Sequence, residues 1–127
     1  MMESARCDGL PNDVLIVEDD PIIALGFEDT IRGFGVAMVR CVASVAQALT
    51  MIEERVPEFA LLDIGLVREN SFEVAEKLAA LDVPFAFVTG YGAHRLDAHY
   101  ADSPRLPKPC TSEALRAVLM RFGRRQG

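Results

Sequence analysis

Residues 14–17, Val-Leu-Ile-Val, form an unbroken apolar run that stops at three consecutive acids, Glu18, Asp19 and Asp20, and then at Pro21. A continuous run of branched side chains reads as a strand buried on both faces, as in a parallel sheet covered by helices. Three adjacent carboxylates at the mouth of such a strand repel one another and would each be better solvated apart. Something cationic is expected there.

Pro21 suits the first turn of a helix, where its missing N–H is harmless, and Ile23, Phe27, Ile31 and Phe34 recur at helical spacing behind it. Gly33 and Gly35 offer a C-cap, and residues 36–42 supply a second strand. Ser44 with Gln47 makes a capping box for a helix running to about Arg55, which Pro57 ends. Residues 59–63, Phe-Ala-Leu-Leu-Asp, read as a third strand, residues 71–80 as a helix, and residues 85–90, Phe-Ala-Phe-Val-Thr-Gly, as a fourth strand. Residues 91–104 hold little apolar periodicity, so a helix there is expected to be short or mobile. Arg105 and Leu106 predict a brief strand, confined to a sheet edge by the flanking prolines. A last helix is expected over residues 112–122, stopping at Gly123. This alternation predicts an α/β fold, a doubly wound five-stranded parallel sheet whose ligand site lies outside the carboxyl ends of its strands.

The length of 127 residues fits one compact domain. Its expected limits are residues 13–123, with residues 1–12 as an N-terminal extension and 124–127 as a basic tail. A net charge of −6 argues against a nucleic-acid or membrane surface as partner. No apolar run approaches the roughly 20 residues of a bilayer span, and the first residues lack an apolar signal core, so the protein is expected in the cytoplasm. The three cysteines, Cys7, Cys41 and Cys110, are odd in number and lack CxxC spacing, which disfavours a disulfide frame or a zinc site. His94 and His99 are five residues apart, off the spacing that sets two ligands on one helical face, and read as loop or surface residues.

Asp63 ends the third strand, Thr89 the fourth, and Lys108 follows the fifth. The ordered set VEDD, LLDIG, VTG and PKP, spanning about Val14 to Phe122, resembles the receiver domain of two-component response regulators. The resemblance implies a flavodoxin-like, CheY-like sheet of order 2-1-3-4-5 with the first and third strands adjacent. It implies phosphorylation of Asp63 beside a Mg²⁺ ion, bound directly by Asp19 and Asp63, through water by Glu18, and by the Gly65 carbonyl. Thr89 would hydrogen-bond a phosphoryl oxygen, Gly90 would leave room for a backbone N–H, and Lys108 would neutralise charge. Asp20 reads as a helix N-terminal acid with a lesser role in the site. Pro109 would follow Lys108 through the cis bond typical of the family.

FVTGY, residues 87–91, together with DIGLVRENSFEVAEKL from Asp63 onward, is similar to the FATGUY subgroup of receivers, with Val88 replacing the usual Ala. That likeness implies a stand-alone receiver whose partner is a sensor histidine kinase of the HWE type, with output by contact with a downstream protein or by acting as a phosphate sink. It implies a monomer or weak dimer, and no enzyme activity beyond assisting its own phosphotransfer and autodephosphorylation. Arg105 stands where most receivers carry an aromatic switch residue, and Cys110 where an aromatic commonly follows the Lys-Pro pair. Tyr91 is either a substitute aromatic or a ring covering the sheet edge, and signalling is expected through ordering of residues 91–104. Other readings stay open: a receiver cut from a larger transcription regulator, a phosphate-blind interaction domain, and an aspartate-nucleophile phosphatase. The last needs a second acid two residues after Asp63, where this chain has Gly65.

Overall fold

A computed structural model describes residues 9–64, 71–89, 104–108 and 110–122. Gly65, Gly90, Tyr91, Pro109, Cys7, both histidines and residues 91–103 of the expected switch segment lie outside the described residues. The elements follow in the order β1 (Asp13–Val17), α1 (Pro21–Gly33), β2 (Met38–Val42), α2 (Val45–Glu54), β3 (Phe59–Asp63), α3 (Phe72–Ala80), β4 (Phe85–Thr89), β5 (Arg105–Pro107) and α4 (Ser112–Phe122). The five strands form one sheet in the order β2-β1-β3-β4-β5, with every neighbouring pair parallel. This is the expected doubly wound, CheY-like α/β fold.

All five residues of β1 are buried, because the strand has neighbours on both sides and helices on both faces. Strand alternation sends Leu15 and Val17 into one core with Val45, Ala48 and Ile52 of α2 and Val74, Ala75 and Leu78 of α3. Val14 and Ile16 enter the other, with Phe27 and Ile31 of α1 and Leu115 and Leu119 of α4. The helical stripe read from Ile23 to Phe34 is therefore centred on Phe27 and Ile31, with Ile23 and Phe34 at its half-buried margins.

The second strand starts at Met38, two residues later than the sequence reading placed it. Gly35 has φ +105°, a left-handed conformation that lets the chain leave α1, and Val36 is buried before pairing begins. Ser44 Oγ accepts the Gln47 N–H at 3.2 Å as a capping box requires, but Gln47 Oε1 accepts the N–H of Ala43, at 2.9 Å. Ahead of β1, Leu10 and Pro11 are buried, and Asn12 donates its N–H to Glu58 Oε1 at 2.7 Å.

Candidate functional site

The register that pairs Val17 with Leu62 ends β1 and β3 at the same level, so the next residues, Glu18 and Asp63, stand side by side. Asp19 joins them, and one carboxylate oxygen from each of the three lies within 4.8 Å of the others. Residues 45 positions apart in the chain meet because the strand order reverses between β1 and β3, where open α/β sheets bind their ligands. Glu18 and Asp63 are only 3% and 5% exposed, so water screens little of their repulsion.

Lys108 enters from the far side. Its backbone N–H donates to the Thr89 carbonyl at 2.7 Å, which fixes the end of β5 beside the end of β4. Its ammonium lies 3.0 Å from Glu18 Oε1 and 3.3 Å from Asp63 Oδ2. Thr89 is 4% exposed at the end of β4, and Val88 is the register partner of Asp63. The structure thus brings Glu18, Asp19, Asp63, Thr89 and Lys108 to one end of the sheet.

Asp20 does something else. Its Oδ1 accepts the N–H groups of Ile22 and Ile23 at 2.9 and 3.2 Å, making it the N-cap of α1. Its own N–H donates to Glu18 Oε2 at 3.1 Å and so steadies the neighbouring carboxylate. The third acid of the run acts through the backbone and lies outside the cluster of three.

Among the described residues three carboxylates face one ammonium, and the imbalance shows at Glu18. Burial first, and then the neighbouring Asp63, push Glu18 up to about 7, although the Lys108 contact and the Asp20 N–H pull it down. Burial works against a charged Lys108, yet the Glu18 contact and the charges of Asp63 and Glu18 outweigh it and hold the lysine above its ordinary value. Glu18 Oε1 is buried, and among the described residues only the Lys108 ammonium, 3.0 Å away and off the ideal hydrogen-bonding angle, serves it. An under-served buried oxygen within an all-oxygen, acid-rich donor set fits a hard divalent cation, and Mg²⁺ suits a site that leaves positions open to water and phosphate.

The amino end of the sheet holds a second charged cluster that the sequence reading missed. Asp13, 2% exposed, accepts Arg40 Nε and Nη2 at 3.1 Å each and Arg55 Nε at 2.8 Å. Arg40 also donates to the carbonyls of Met51 and Arg55, tying β1, β2 and α2 together. No motif spacing announces such a cluster, since strand register alone sets Arg40 beside β1.

A doubly wound sheet with three acids and a lysine outside its carboxyl ends defines a flavodoxin-like domain with an acidic cluster at the switch point. Residues 14–120 match the response regulator receiver domain, and the chain belongs to that family. Receiver domains are signalling modules of two-component systems that interact with histidine kinases and downstream proteins, and in general they are not enzymes. The chain is similar to the sensory transduction protein LytT of Enterococcus faecalis, 30% identical over 118 residues that cover 90% of this chain and 49% of LytT. The solution structure of SdrG from Sphingomonas melonis Fr1 superposes with a TM-score of 0.78 at 38% identity, covering 89% of this chain and 96% of that one. The PhyR stress response regulator gives a TM-score of 0.75 at 29% identity, covering 95% of this chain and 48% of the PhyR chain. The chain therefore spans about half the length of LytT and PhyR and nearly all of the SdrG chain. No helix among the described residues is long and apolar enough to cross a membrane.

Proposed function

We propose that this protein is a single-domain response regulator of the cytoplasm that accepts a phosphoryl group on Asp63 from a sensor histidine kinase of the HWE type. The observation that carries this reading is the placement of Asp63, buried at a strand end, with Lys108 Nζ 3.3 Å from Oδ2 and two further acids within ligand distance. Residues 13–123 would form the receiver domain. Asp63 Oδ attacks the phosphorus of the kinase phosphohistidine; the O–P bond forms, the P–N bond breaks, and the imidazole leaves with the electron pair and takes a proton from solvent. Such a transfer asks the protein mainly for position and charge neutralisation.

Asp19 and Asp63 would hold Mg²⁺ directly, Glu18 through water, with the Gly65 carbonyl completing the protein ligands. When bound, the ion supplies positive charge opposite the phosphoryl oxygens. Lys108 supplies the second cation on the Asp63 side, its ammonium kept charged by the acids around it. Thr89 can donate its hydroxyl to a phosphoryl oxygen, and Gly90, with no side chain, would leave room for a backbone N–H to approach. Output would run through contact with a downstream protein or through phosphate-sink competition. The likeness to SdrG, at 38% identity over 96% of that chain, supports the stand-alone form.

The test is phosphotransfer from a labelled kinase to the protein and to Asp63→Asn, with and without EDTA. Label is expected on the unsubstituted protein alone, and only with Mg²⁺ present. Label persisting on Asp63→Asn, or transfer indifferent to EDTA, overturns the assignment.

A further inference from the structure

Of the two outer strands of the sheet, β5 is three residues long and ends at Pro107, whereas β2 runs five residues and pairs only with β1. Met38 donates its N–H to the Asn12 carbonyl and Val42 accepts the Glu18 N–H, so Met38, Arg40 and Val42 turn their backbone groups toward β1. By alternation Val39, Cys41 and Ala43 turn theirs outward. An outward row of that kind is a template for another strand.

Two side chains interrupt the row. Arg32 of α1 donates Nη2 to the Val39 carbonyl at 3.1 Å, and its Nε is held at 3.0 Å by Glu28, one turn back. Gln47 of α2 accepts the Ala43 N–H at 2.9 Å. The two helices lie on opposite faces of the sheet, so the edge is closed from both sides. Between the caps, Cys41 opens into a cleft of about 500 Å³ bordered by Gln47, Thr50, Met51 and Glu54.

A strand added in parallel would make one ring with Val39 and Cys41 and another with Cys41 and Ala43, and each ring loses one bond to a cap. An antiparallel strand would keep only the ring at Cys41. We propose that Arg32 and Gln47 block sheet extension through β2, closing that edge against the β2 edge of a second copy of this chain.

The experiment compares the full chain with Arg32→Ala/Gln47→Ala by sedimentation over a concentration series, with amide hydrogen exchange read at Cys41. Removing the caps is expected to tighten self-association roughly tenfold or more, because each copy regains one edge acceptor and one edge donor. The Cys41 amide, open in the parent, should become protected as the variant associates. Arg32→Met/Gln47→Met, which keeps the aliphatic stems and good helix formers, repeats the measurement should the alanine pair fold poorly. Self-association equal to the parent's in both pairs, or association that leaves the Cys41 amide unprotected, overturns the proposal.

Discussion

The two ends of the sheet each bury carboxylates, and they treat them in opposite ways. At the amino end Asp13 meets two guanidiniums, and the Arg40 fork is satisfied by Asp13 and by backbone carbonyls. At the carboxyl end Glu18 and Asp63, with Asp19 beside them, share one lysine among the described residues. A buried charge with its partners in place holds elements together. A buried surplus of one sign is tolerated only where a ligand of the other sign restores the balance, and it is therefore the better mark of a functional site.

The sharpest break in this comparison is at the amino end. Asp13→Ala leaves Arg40, whose side chain is 12% exposed, without its carboxylate, and is expected to destabilise the fold by about 3–5 kcal/mol. Urea unfolding checks the loss, and Mg²⁺ binding should persist at temperatures where the variant stays folded. At the carboxyl end, Mg²⁺ at about 100 times its dissociation constant should stabilise the protein by about 2.7 kcal/mol. Asp63→Asn should abolish most of that gain; an equal gain in the variant would place the ion elsewhere.

A smaller effect should follow from pH in the absence of divalent cations. Glu18 titrates near 7 in the fold against an ordinary value of 4.5, so between those values the folded chain keeps a proton that the unfolded chain has lost. Its stabilising effect is full below about 4.5 and is lost as pH rises through about 7. Glu18→Gln should flatten that slope in urea melts taken from pH 5 to 8. The least effect belongs to Asp20→Ala, which removes the α1 N-cap at a cost of about 1 kcal/mol. Titration should find Mg²⁺ still bound, because Asp20 spends its carboxylate on the helix; loss of binding would return the third acid to the cation site.

Most of the scaffold was legible because its signals are local. A continuous apolar run names a doubly buried strand, Pro21 and Ser44 punctuate helix starts, and the prolines around Leu106 confine β5 to an edge. The resemblance supplied the strand order that the sheet displays. Where the reading slipped, a choice among nearby partners decided the matter. Gln47 reached Ala43 instead of Ser44, and the second strand waited for the turn at Gly35 before pairing.

The sequence by itself determined which segments alternate and where acids terminate strands, since periodicity and chain breakers act within a few residues. Only the tertiary structure decided that Arg40 and Arg55 would neutralise Asp13 and that Lys108 would stand between Glu18 and Asp63. Those outcomes depend on strand register and on distances of a few ångströms between groups far apart in the chain. Charge pairing falls off so steeply with separation and exposure that composition cannot foresee it.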